Sequence, residues 1–344
     1  MGHNITRRAS GEYEMAYVGP KPWHSLGQEV PKGCSVDDMR KAARLDWEAI
    51  PAVVQYHNQD GLLLPVEGKR VLYRSDTSAP LGVVSDKYEI VQPAMVLETF
   101  REMTEGAGWY IHTAGSLRGG AKVWAMATNE VLAASIGGKY DHVKANMLVA
   151  TSLDGSMKTR AKLCGERVVC ENTWNIALAE QGQEIVLSHR GEFDPDVIQG
   201  SLDIAVHSFA RMVEEANAMC DRAVGTDEAL HVLRDLFGQP TDKEIKPTTP
   251  NFEFERLMAQ FGSGPKREQR SVVRAMTLYM GEGMGANLAS SKGTAWGLLN
   301  AVTQHIDHER GRTDDTRMES AWFGEGERVK GLAYNVLAQM AGVA

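Results

Sequence analysis

Val143-Lys144-Ala145-Asn146-Met147-Leu148-Val149-Ala150-Thr151-Ser152-Leu153-Asp154-Gly155-Ser156-Met157-Lys158-Thr159-Arg160-Ala161-Lys162-Leu163 is the stretch that decides the fold. Asp154-Gly155 is a strong two-residue hairpin signal between arms that read as strands. Along the second arm Lys158, Arg160 and Lys162 fall on one face, and Met157, Thr159, Ala161 and Leu163 on the other, because side chains alternate across a strand. Upstream, Trp109 to Thr113 and Ala121 to Thr128 show the same period of two. The four segments predict a half-buried antiparallel sheet spanning roughly Trp109 to Cys170.

Working outward, Ser35 is an N-cap for a helix to about Trp47, followed by strands at Ala52 to His57 and Lys69 to Arg74 around a turn at Asp60-Gly61. Leu81 to Val91 continues that sheet, and Pro93 opens a helix through about Met103. Val168 and Val169 lead to Asn172, a capping residue for a helix through about Glu180. Beyond Asp194 the periodicity becomes helical, over 195–223, 226–237, 251–261, 266–281, 294–309 and 315–341. The expected fold class is α+β, with an antiparallel sheet and packed helices in the N-terminal part and a mainly helical C-terminal part. Three regions follow: an extended arm over 1–34, a sheet domain over 35–193, and a helical region over 194–344 with a loop at 238–250 that holds Pro240, Pro247 and Pro250.

A chain of 344 residues is long enough for one large or two ordinary domains, and 43% hydrophobic with 24% charged content excludes a fibrous or disordered protein. No apolar run reaches the roughly eighteen residues that a membrane span needs, and the N-terminus lacks a signal-peptide pattern, so a cytoplasmic protein with no membrane partner is expected. Cys34, Cys164, Cys170 and Cys220 are too few and too scattered for a disulfide framework and read as reduced thiols. The net charge of −8 excludes a protein that coats duplex DNA by bulk positive charge.

Charge is nonetheless uneven. Between Ser116 and Cys170 eight basic residues, Lys139 among them, face four acidic ones; taken from totals of 37 and 45, this leaves 29 basic and 41 acidic residues elsewhere. Arg118, Lys122, Lys144, Lys158, Arg160, Lys162 and Arg167, with Trp124 on the same strand face as Lys122, are the candidate nucleic-acid-binding residues. Cations neutralise phosphates, and an aromatic stacks on any base at about 1–3 kcal/mol, so the chemistry suits a single strand bound without sequence preference. The competing reading is a solvated sheet face whose Lys and Arg protect its edges.

Other constellations carry less. His305-Ile306-Asp307-His308 puts two histidines one turn apart on a helix, but no third ligand accompanies them, and surface residues near a helix end are the simpler reading. Lys292-Gly293-Thr294 inverts the order of a phosphate loop, and no strand precedes it. His24 and Ser25 are adjacent, so their side chains diverge and cannot pair as base and nucleophile. No catalytic residue, metal or cofactor is expected.

Four segments resemble a known family: Pro22-Trp23-His24-Ser25-Leu26-Gly27, Leu81-Gly82-Val83-Val84-Ser85-Asp86-Lys87-Tyr88, Arg167-Val168-Val169-Cys170-Glu171-Asn172-Thr173, and Thr294-Ala295-Trp296-Gly297-Leu298-Leu299-Asn300-Ala301-Val302-Thr303. They are similar to the phage/plasmid-like family grouped as domain of unknown function 932, with Ser25 where that family's first motif usually has glycine. The resemblance implies a mobile-element protein and supplies no chemistry. Some single-strand annealing proteins of mobile elements have a basic sheet backed by helices and assemble in rings, an analogy of architecture alone. The expectation is therefore a non-enzymatic protein that binds single-stranded nucleic acid in phage or plasmid replication or recombination, forming homo-oligomers. The alternatives are a protein-interaction factor acting on a host process through the acidic helical half, and a nucleic-acid-modifying enzyme around His305, Asp307 and His308.

Overall fold

The computed structural model describes residues 5–19, 26–101, 108–138, 140–167, 172–175, 185–187, 202–237, 267–310 and 317–343. Its strands are β1 (Met15–Val18), β2 (Gln28–Val30), β3 (Ala49–His57), β4 (Leu63–Arg74), β5 (Pro80–Ser85), β6 (Trp109–Leu117), β7 (Lys122–Ser135), β8 (His142–Ser152), β9 (Thr159–Arg167), β10 (Asn172–Asn175) and β11 (Ile185–Leu187). Its helices are α1 (Val36–Ala42), α2 (Pro93–Glu98), α3 (Leu202–Asp221), α4 (Thr226–Phe237), α5 (Arg267–Thr277), α6 (Ala295–Gln304), α7 (Arg317–Phe323) and α8 (Glu325–Met340). Sheet in the first half and helices in the second make the chain an α+β protein, as its periodicity predicts.

The hairpin of the deciding stretch joins β8 to β9. Ser152 closes it: its Oγ donates to the Met157 carbonyl at 2.8 Å and accepts from the Met157 N–H at 3.1 Å. The larger sheet runs β10-β9-β8-β7-β6-β1-β2, with β11 antiparallel to β9. It is mixed, because β1 is antiparallel to β6 and parallel to β2. Strands β3, β4 and β5 form a separate antiparallel sheet.

Packing divides the chain into two units. The first comprises residues 1–132, 145–164 and 176–207, and the second 133–144, 165–175 and 208–344. In the first, the segment predicted as an extended arm supplies β1 to the interior of the sheet. The buried Glu14 carboxylate beside β1 takes two bonds from Arg74 of β4, at 2.6 and 3.0 Å, and a third from Arg8 at 3.0 Å. The Arg74 guanidinium lies 4.1 Å from the Trp47 ring centroid. In the second unit Trp296, Leu299, Leu230, Val329 and Leu337 form the core.

Several expectations need correction. The sheet is not half-wet: every residue from Lys122 to Asn129 and from Ala161 to Arg167 is buried. Neither strand is an edge of the sheet, and long lysine stems pack among apolar neighbours as well as along a wet surface. Asn172 starts a short strand rather than capping a helix, in keeping with the strand preference of Thr173 and Trp174. Ser35 does cap α1, accepting from the Asp38 N–H at 3.0 Å, but the helix stops at Ala42, before Arg44 turns to φ 57°. The strand expected over 81–91 ends at Ser85. The helix predicted over 315–341 is broken at Gly324 into α7 and α8. The motif at 22–25, Lys139, Cys170, the helix expected over 251–261, the loop at 238–250 and the continuation from Asn172 to Glu180 lie outside the described residues, except for β10 itself.

Candidate functional site

The basic residues of the central sheet are not brought together on one open face. Arg118 is exposed in the turn after β6, Lys158 is exposed at the approach to β9, and Arg160 is half-buried. Lys162, two positions on, is only 1% exposed, so the predicted cationic row sinks into the interior along its length. Lys122 is buried, and Trp124 is 1% exposed. The indole lies over Gly115, its register partner on β6, where an added Cβ would come within 3.1 Å of the ring. That packing leaves no ring face for a base. Lys144 pairs with Glu166 at 3.0 Å, and Arg167 is fully buried. Arg118 and Lys158 do share one end of the sheet, where the Leu153 N–H bonds the Ala121 carbonyl at 2.7 Å.

Arg167 instead belongs to a buried polar centre of the second unit. Its guanidinium donates to both oxygens of Asp141, each at 2.6 Å, and to Ser291 Oγ at 2.7 Å. Asp141 also accepts from Ser290 Oγ at 2.7 Å and from Trp296 Nε1 at 3.0 Å. Burial alone would raise the Asp141 pKa, but the Arg167 fork, Ser290 and Trp296 outweigh it and hold the carboxyl below its ordinary value. A buried carboxylate forked by a guanidinium and held below its ordinary pKa binds a proton poorly, so this centre is an anchor and not a base. It fastens the end of β9 and the Asp141 turn to the chain entering α6. Thr294 caps that helix, accepting from the Gly297 N–H at 3.1 Å. Gly297 is required there because any Cβ would overlap the Ser291 carbonyl. Cys220, beside Gly137 in the same unit, has its thiol pushed up to about 12 by burial, which leaves it protonated and unreactive.

Two π-helical turns end α5 and α6, at Leu278–Glu282 and His305–Glu309. Arg274 ties them together, bonding Glu309 at 2.6 and 2.8 Å and Glu282 at 2.6 Å. His305 is buried with its ring edge-on to Phe237 and its Nδ1 3.7 Å from Glu309. Asp307 is taken by Lys330 at 2.6 Å, both buried, so the His-Ile-Asp-His segment offers no free carboxylate. Among the described residues no three His, Cys, Asp or Glu side chains gather as metal ligands.

Among the described residues, α4 and α8, both in the second unit, bound a groove with a volume of about 360 Å³. Leu332, Val336 and Met340 form its α8 wall, Val232 and Leu236 its floor, and Glu228, His231 and Asp235 its α4 rim. Leu332 and Val336 are 41% and 37% exposed. Sequence reasoning missed it, because it exists only where two amphipathic helices meet.

These features define an α+β protein whose motif residues Arg167 and Trp296 meet in a structural anchor rather than a catalytic centre. The chain belongs to the family described as domain of unknown function (DUF932), which matches residues 80–322, more than half of its length. No curated protein and no solved structure matches it. No helix among the described residues is long and apolar enough to cross a membrane.

Proposed function

We propose that this protein is a protein-interaction factor that acts through its acidic helical half, inside the cell and in the mobile-element setting that the family resemblance implies. The observation that carries this reading is the groove between α4 and α8, where aliphatic side chains stand part-exposed beside a carboxylate rim. Apolar surface rimmed by polar groups is characteristic of interaction sites. The test is affinity capture from lysate of the source cells after nuclease digestion, with Leu332→Asp as the matched control. A discrete partner retained by the native chain and lost from the variant is expected. Identical capture by both would overturn the reading.

A second reading, single-strand nucleic-acid binding, is favoured by Arg118 and Lys158, both exposed at the same end of the larger sheet. Its ligand would touch phosphates there without the Trp124 stacking that the sequence suggests.

A further inference from the structure

We infer that the groove between α4 and α8 receives a basic amphipathic helix from another protein. The inference rests on the interaction reading above and adds the chemistry of the partner.

Shape comes first. Leu332, Val336 and Met340 recur every four residues along α8, a stripe about 12 Å long at the α-helical rise. Opposite them Glu228, Val232, Asp235 and Leu236 recur with helical spacing on α4. Two helix stripes bounding a trough two turns long match an incoming helix that presents apolar anchors at i, i+3/i+4 and i+7. The volume, about 360 Å³, sits at the low end for ligand sites. It suits a few aliphatic side chains.

Charge then selects the partner. Asp235 is exposed on the rim, 3.5 Å from His231, and Asp227 adds to the acidic first turn of α4. Glu228 is forked by Arg222 through both of its oxygens, so Asp235 and Asp227 carry the selection. The cations of α8 are engaged elsewhere, Arg328 with Glu325 and Lys330 with Asp307. The α8 wall itself is wholly apolar. A net charge of −8 for the whole chain adds a long-range field that steers basic partners inward.

The experiment uses the full chain and two fluorescein-labelled helical peptides of about fourteen residues, with identical leucine stripes. One carries lysines on the polar flank and its twin carries glutamates. Anisotropy is expected to show the lysine peptide binding at least about tenfold tighter than its twin, with affinity falling as salt rises. Val336→Asp is expected to weaken it at least about tenfold, and Asp235→Lys to shrink or invert the preference. Both positions are exposed enough for the variants to fold, which thermal melting checks.

Equal binding of the twins, with both lost in Val336→Asp, would overturn the basic occupant and leave the groove as an interaction site. Absence of binding by either peptide, or binding indifferent to Val336→Asp and Leu332→Asp, would overturn the inference. Failure of the reading beneath it is seen separately, as captured proteins unaffected by Leu332→Asp.

Discussion

Asp141 shows what one buried residue contributes to this chain. Four donor groups, two from Arg167 and one each from Ser290 and Trp296, converge on its carboxylate. Removing one partner of such a pair strands a charge in a low-dielectric interior, at a cost of about 3–5 kcal/mol. Asp141→Asn should therefore lower the stability of the second unit by about that amount in urea unfolding. Arg167→Met should cost a comparable amount, and the double variant clearly less than the sum, because the second change removes a group already unpaired. Additive losses would show that the two residues act independently. Arg167 and Trp296 are visible in the sequence as motif residues, but Asp141 is not. It lies 26 residues from one and 155 from the other, and no local pattern links positions that only the fold brings together. The same holds for Glu14 and Arg74, 60 residues apart.

At the scale of elements, the periodicity of α4 was legible to the residue, and the strands of the deciding stretch to within a few. What it could not supply is how many faces of a strand are covered. Alternating lysines signal a wet face only when no second layer packs there, and β9 is buried on both sides from Ala161 onward. Helix ends were equally hidden, since nothing local distinguishes an α-turn from the π-turn at His305–Glu309. That turn should make the second unit acid-sensitive. Burial lowers the His305 pKa from its ordinary 6.5, so the unfolded chain binds a proton there more readily than the folded one. Burial alone would raise Glu309, but the His305 ring and the Arg274 fork outweigh it and bring it from 4.5 to about 2. Both groups are depressed on folding, so both contribute stability above their unfolded values that is lost as pH falls. Melting temperature should begin to drop below pH 6.5 and fall further between pH 4.5 and about 2. Glu309 is partly exposed, and solvent screening reduces its share to about 1–2 kcal/mol. His305→Gln should flatten the upper limb and Glu309→Gln the lower. An unchanged profile in both would place the acid response elsewhere.

For the molecule as a whole, the difference between the two functional readings is one of which charges reach water. The sequence shows a basic block within an acidic chain, and on composition alone the block is the natural site. Folding reverses that weighting: Lys122, Lys162 and Arg167 go inside and Lys144 is neutralised by Glu166. Arg118, Lys158 and Arg160 stay nearer the surface. Three cations can contact at most about three phosphates, and each contact releases less than one counterion, so the salt dependence on a single strand should be shallow, with a log–log slope no steeper than about −2. Anisotropy with a labelled oligonucleotide should accordingly show weak binding at 50 mM salt that disappears near 200 mM, where the chain's net negative charge opposes the ligand. Arg118→Glu with Lys158→Glu should abolish it and leave the capture of a protein partner intact. Submicromolar binding that persists at 200 mM salt would mean that cations beyond these three are engaged. The single-strand reading would then take precedence over the groove.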